Sequence, residues 1–470
     1  SVAASAVRLA ARVGSSAYEA LCEVVAAADQ SRTFHTLMAG SDFFVDQAGR
    51  QSAWLCDALA DGTLLVTREW TADQWDAAFA LLQGPDDTES DCLAALRTFR
   101  HRHMVRMLWR EAAQLATVED TFVELSGLAD CCVRAAVAFA TAALQPKYGL
   151  PIGQESGDEQ SLVVLAMGKL GGNELNLSSD IDLIFAYPEA GETEGGKQRL
   201  ANQTYFVRLG QLVIRLLDAV TEDGFAFRVD MRLRPYGDSG ALVGAFSALE
   251  LYYQEQGREW ERYAMVKARP ITGTAAAKTS LMSMLFAFVY RRYTDFSVIA
   301  ALRSMKSMMR AEVTRLGIET DVKRSSGGIR EIEFIAQSLQ LIHGGRMPAL
   351  RLQSLLPTLQ ALMQAEVLST QQAQRLSDHY RLLRRVEHGL QGMADRQTQA
   401  LPTEPLDKAK LALLVGYPSW ESLNSDLVGA RGEVDAVFSD LIADPNDPSS
   451  DELVASRTRF SALNAETLLA

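Results

Sequence analysis

Long apolar runs are missing from this chain. No uninterrupted stretch in its 470 residues reaches the roughly 18 that a membrane-spanning helix needs, so no membrane partner is expected. Cysteine is scarce too. The five present (Cys22, Cys56, Cys92, Cys131 and Cys132) are odd in number and form no CxxC pair, which argues against a disulfide framework and for a reduced, cytoplasmic protein. The six histidines show no zinc-like spacing, and His101-Arg-His103 is expected to be a surface pair on a helix. Basic charge is in deficit. A formal net charge of −13 argues against broad nucleic-acid binding, which requires a basic face. A P-loop is absent as well, because Gly168-Lys169 lacks the upstream glycine and the following Ser or Thr. Gly237-Asp238-Ser239-Gly240 lacks the all-β setting and the His/Asp partners of a serine nucleophile. What is present is ordinary globular material, 48% hydrophobic and 22% charged, enough for two to four domains.

Residues 1–146 are Ala- and Leu-rich with apolar positions at helical spacing, such as Leu96, Phe99, Met104, Val105 and Leu108, and are read as a helical region beginning with an amphipathic helix. A Gly, Pro and acid-rich loop is expected over 148–160. Leu162–Met167 and Ile181–Tyr187 read as strands, 201–220 as a helix, and Phe225–Arg234 as a strictly alternating strand stopped by Pro235. A mixed-sheet domain is therefore placed at 147–270 and a second helical domain at 271–443. Residues 444–470 read as an acidic linker and a weak terminal helix. The expected fold class is α+β, mostly α, with a small mixed sheet between two helical regions.

Asp180 and Asp182, at the start of an apolar strand, point to one face and are able to share divalent cations. A glycine-rich turn (Gly168, Lys169, Gly171, Gly172) stands just before them, and backbone N–H groups in such a turn can cradle phosphate. Asp230 is expected on an adjacent strand, completing three carboxylates around a pair of Mg²⁺ ions. Arg232 and Arg234 alternate with it and suit phosphate oxygens or neutralisation of Asp230, while Lys169, Ser178 and Ser179 are further phosphate candidates beside a turn or cap role for the serines. Gly327-Gly328 opens a helix whose N-terminus could face an anion. On that helix Glu333 falls among apolar positions, where it is read as a buried ion pair with Arg330 or as an outer carboxylate of the site. Arg303, Lys306 and Arg310 make a basic helical stripe, a solvated face or a nucleotide contact. Arg258, Glu259, Glu261, Arg262, Lys267 and Arg269 read as a surface ion-paired helix.

Ala166 to Phe185, Arg228 to Tyr236, Tyr252 to Pro270 and Gly327 to Phe334 closely resemble the bifunctional glutamine synthetase adenylyltransferase/adenylyl-removing enzymes, most strongly over 162–345. That resemblance implies a polymerase-beta-like nucleotidyltransferase domain, with Asp180 and Asp182 binding both metals and Asp230 completing the site. Such proteins carry two catalytic halves and one is visible here, so the chain is expected to be part of something longer. The wording around Glu174-Leu175-Asn176 and Gly-Gly-Ile-Arg-Glu-Ile-Glu resembles the N-terminal half, which implies removal of AMP from adenylylated glutamine synthetase. The implied reaction uses inorganic phosphate as co-substrate with Mg²⁺ or Mn²⁺, gives ADP, and is governed by a PII signal protein in its uridylylated form. Two alternatives stand beside it: AMP transfer from ATP on the same carboxylates, and a catalytically silent docking module for a PII protein.

Overall fold

The computed structural model describes residues 2–290 apart from 68 and 85, scattered positions between 307 and 320, and 321–442. The stripe of Arg303, Lys306 and Arg310 and the 444–470 segment lie outside the described residues. The fold is α+β and mostly α.

The sheet is small and its faces are set by side-chain alternation. Strand β1 (Gly149–Gly153) pairs antiparallel with β4 (Gly191–Gly195), so part of the stretch expected to be loop is a two-stranded ribbon. In the main sheet β2 (Val163–Ala166) lies antiparallel to β3 (Ile181–Tyr187) on one side and to β7 (Arg269–Pro270) on the other. The far edge of β3 pairs parallel with β5 (Val229–Asp230) near its start and with β6 (Val243–Ala245) near its end. Because side chains alternate, Val164, Ala166, Leu183 and Phe185 pack into one hydrophobic cluster with the helices Val118–Tyr148 and Asn202–Asp218. Val163, Leu165, Met167, Ile184 and Ala186 enter another with the helices Phe246–Glu255 and Ala275–Val289. Burying a side chain such as Phe185 on such a face contributes roughly 2–3 kcal/mol. A third cluster gathers the helices Ile329–His343, Leu355–Gln364, Thr370–Gly392, Pro405–Val415 and Trp420–Ile442.

The alternating segment before Pro235 forms strand only at Val229 and Asp230. There the Asp230 carboxylate accepts the Arg232 backbone N–H at 2.8 Å, closing an Asx turn that bends the chain away from β3. The N-terminal helix ends early, at Val13, before Gly14 in the left-handed region.

Helix Val118–Tyr148 is long and apolar enough by composition to cross a bilayer, although charges such as Glu124 and Arg134 interrupt any continuous run. Its inner face (Leu125, Leu128, Cys132, Ala136) is buried against the helices Glu89–Ala112 and Asn202–Asp218, as in a core helix. His101 and His103 are buried rather than a surface pair. Burial, with Arg100 beside it, pushes His101 down to about 3, and His103 packs among Trp70, Trp75 and Phe99. The mixed-charge segment near 260 is likewise not a surface helix. The helix covers only Glu259–Met265, and Glu261, Arg262 and Lys267 are buried because they face neighbouring elements.

Candidate active site

Asp182 shares the face of Ile184 and Ala186, but at the start of β3, where apolar cover stops. Its register partner on β5 is Asp230, and Asp180 lies one residue before β3. The three aspartates line a cavity of about 230 Å³, together with Gly168, Lys169, Ser179, Arg232, Lys267, Lys323, Arg330 and Glu333. Trp260, Tyr263, Gln337 and Gln397 complete much of the wall.

The turn before β3 is a single helical turn, Gly168–Gly171. Gly168 has φ +53°, and a Cβ there would lie 2.4 Å from Asp182 Oδ2, so glycine serves both the conformation and the approach of the carboxylate. Gly171 and Gly172 face away from the cavity. Their N–H groups donate to Met167 and Gly168 carbonyls, and a Cβ on Gly171 would strike the Lys267 carbonyl at 2.0 Å. The expected phosphate cradle is thus a close-packing device at those two positions.

Most charges inside the cavity are paired. Arg228 Nε donates to Asp180 at 2.6 Å and Gln397 to the other Asp180 oxygen at 3.2 Å. Arg232 lies against Asp230, its Nη2 at 2.6 Å. Lys169 reaches Glu387 at 3.0 Å, and burial lowers it to about 8. Lys267 bridges Glu333 at 2.6 Å and Glu174 at 3.3 Å. Burial works to raise Glu333, but Lys267 and Lys169 outweigh it and hold the carboxyl down to about 2. Asp182 goes the other way: burial, then the neighbouring Asp230 and Asp180 charges, push it up to about 6 against the pull of Lys323 and Lys169.

Several expectations shift. Glu333 is ion-paired with Lys267, which stands just before β7, rather than with a neighbour on its own helix as expected. Arg234 folds back onto the Met231 carbonyl at 2.7 Å and toward Asp238, since the Asx turn has taken it off the strand face, and it does not line the cavity. Ser178 is buried, with its N–H given to Gln391 and its carbonyl accepting from Arg228, whereas Ser179 lines the cavity. The N-terminus of helix Ile329–His343 is not open to an anion. The N–H groups of Ile329, Arg330 and Glu331 donate to the carbonyls of Val322, Lys323 and Gly328. Residue patterns did not single out Arg228, Lys267, Lys323, Trp260 or Gln397 for the site. Only Arg228 left a signal, alternating with Asp230.

Among the described residues no three acidic, His or Cys side chains converge closely enough to hold a metal ion, since Asp180 and Asp230 are turned onto arginines. The donor chemistry nevertheless fits a hard divalent cation: three carboxylates on one wall, with repulsion concentrated on Asp182. A cation would relieve that repulsion and release Arg228 and Arg232. No histidine or cysteine lines the cavity among the described residues, so the chemistry it offers is positioning and charge neutralisation.

Residues 31–284 match the family model described as glutamate-ammonia ligase adenylyltransferase, and 302–442 match one described as GlnD PII-uridylyltransferase. The chain is 48% identical over 419 residues to a protein of Pseudomonas aeruginosa named bifunctional glutamine synthetase adenylyltransferase/adenylyl-removing enzyme, covering 89% of this chain and 42% of that one. Relatives of the same name in Pseudomonas putida and Nitrosococcus oceani are 47% and 46% identical over 422 residues each, covering 90% of this chain and 43% of theirs. The chain therefore spans about two fifths of the length of the curated relatives it matches.

Proposed function

The chain belongs to the glutamate-ammonia ligase adenylyltransferase family, and from that premise we propose that it removes AMP from adenylylated glutamine synthetase by phosphorolysis. The observation that carries a nucleotidyl-transfer reading is the cavity itself. Asp182 and Asp230 from adjoining parallel strands, with Asp180 just before the first of them, share its lining with Lys169, Arg232, Lys267, Lys323 and Arg330, and no His or Cys lines it among the described residues. The direction, removal rather than addition, is supported by the resemblance of the Glu174-Leu175-Asn176 and Gly-Gly-Ile-Arg-Glu-Ile-Glu segments to the adenylyl-removing half.

In this reading Asp180, Asp182 and Asp230 would hold Mg²⁺ or Mn²⁺, which when bound would neutralise charge on the transferred phosphoryl group. Arg232, beside Asp230, would be placed to reach the same oxygens. Lys169 keeps the Gly168 turn against Glu387, and Gly168 leaves Asp182 room to face the substrate. An oxygen of inorganic phosphate bonds to the α-phosphorus while the tyrosyl oxygen–phosphorus bond breaks. The proton carried by the phosphate ends on the tyrosine, and ADP leaves. Partners in this reading are glutamine synthetase and a uridylylated PII protein, the latter supported by the uridylyltransferase-like match over 302–442. A reducing cytoplasm suits the five free thiols.

The test is incubation of adenylylated glutamine synthetase with the chain and Mg²⁺, with and without phosphate. ADP formation that requires phosphate is expected. Release that ignores phosphate, or gain of AMP from ATP in its place, rejects the reading.

A further inference from the structure

Five basic side chains line the catalytic cavity, and most are already engaged. Lys169 is held by Glu387, Lys267 by Glu333 and Glu174, Arg232 by Asp230. Lys323 differs. Among the described residues its ammonium makes no ion pair or hydrogen bond, yet it is near enough to Asp182 and Glu387 to lower both and near enough to Lys169 to depress it.

Its backbone is fixed at both ends. The Lys323 N–H donates to Asp321 Oδ1 at 2.9 Å, and its carbonyl accepts from Arg330 N–H at 3.0 Å, so the residue is clamped between an Asx turn and the first turn of helix Ile329–His343. The aspartates reach the cavity from the sheet, and Lys323 from the 321–328 loop that leads into the C-terminal helices. A half-exposed ammonium held this way suits a multiply charged oxyanion arriving from solvent, and it has no carboxylate to give up first.

We propose that Lys323 binds the attacking inorganic phosphate, and so makes phosphate rather than water the acceptor of the AMP group. This rests on the reading given under Proposed function. Lys323 neutralises the incoming dianion as its oxygen forms the bond to the α-phosphorus.

The test replaces Lys323 by Met, which keeps the aliphatic stem, and by Arg, which keeps the charge, and compares steady-state kinetics of ADP formation at varied phosphate and at varied adenylylated glutamine synthetase. Wild-type phosphate dependence is read first. Its absence fails the underlying reading, and its presence makes the variants decisive. In Lys323→Met the KM for phosphate rises on the order of ten- to a hundred-fold, as for loss of a charge-assisted hydrogen bond. The KM for the protein substrate stays within about two-fold. Lys323→Arg recovers part of the phosphate affinity. An unchanged phosphate KM in a Lys323→Met protein with wild-type circular dichroism overturns the proposal, as does an equal rise in both KM values. If Lys323→Met does not fold, Lys323→Gln takes its place: a raised phosphate KM with an unchanged KM for the protein substrate supports the proposal, and an unchanged phosphate KM overturns it.

Discussion

Asp182 carries the cavity's unrelieved charge. Burial and the Asp230 and Asp180 carboxylates push it from its ordinary 3.8 up to about 6. The folded protein therefore holds that proton more tightly than the unfolded chain, so its contribution to stability is present below about pH 4 and is lost as pH rises through 6. Two consequences follow at neutral pH. Asp182→Asn stabilises the metal-free protein by about 1–2 kcal/mol while abolishing activity, and Mg²⁺ raises the melting temperature of the wild type but not of the variant. Thermal denaturation at pH 5 and pH 8, with and without Mg²⁺, checks both. A variant less stable than wild type at pH 8 contradicts the charge assignment. The carboxylate spacing was legible in the sequence because strand alternation fixes where residues i and i+2 point. Lys267 and Lys323 were not, because only tertiary packing brings the turn before β7 and the 321–328 loop to the same cavity.

At the scale of elements, helix Thr370–Gly392 does as much to shape the site as the sheet does. From it Arg384 donates to the Glu174 carbonyl at 2.5 Å and to Asn176, stacking on Phe122 with its guanidinium 4.0 Å from the ring centroid. Glu387 holds Lys169, and Gln391 accepts the Ser178 N–H at 2.9 Å. The whole segment between the Gly168 turn and Asp180 is thus fastened to one helix face. Arg384→Met removes a fully buried charge partner of Glu387 and leaves the Glu174 carbonyl and Asn176 without their donor, a loss of about 3–5 kcal/mol by denaturant titration. Activity in the folded fraction falls as well, since the segment that leads to Asp180 loses its anchor at Glu174 and Asn176. Glu333→Gln is milder, about 1–2 kcal/mol, because Glu174 still faces Lys267. Equal effects of the two changes run against this division of labour. Helical spacing identified these helices as apolar elements. It did not reveal that the polar residues at 384, 387 and 391 face inward, because i, i+3, i+7 polarity reads the same on a buried face as on a solvated one.

At the scale of the whole molecule, the N-terminal helices share a hydrophobic cluster with one sheet face, while the C-terminal region brings Lys323, Arg330, Glu333 and Gln397 to the cavity that the carboxylates line. The α+β class, the strands β2 and β3 and the helix Asn202–Asp218 were legible from periodicity. The β1–β4 ribbon and the short β5 were not, because isolated glycines and an Asx turn decide them. The net charge of −13 leaves the cavity's cluster of cations as a local feature suited to phosphate groups. The most direct measurement supplies ³²P-labelled inorganic phosphate with Mg²⁺ to adenylylated glutamine synthetase and this chain, then separates the nucleotide product. Label recovered in the β-phosphate of ADP, matched by free tyrosine on the synthetase, is the predicted result. Unlabelled AMP as the product, or no release with Asp180, Asp182 and Asp230 intact, contradicts it.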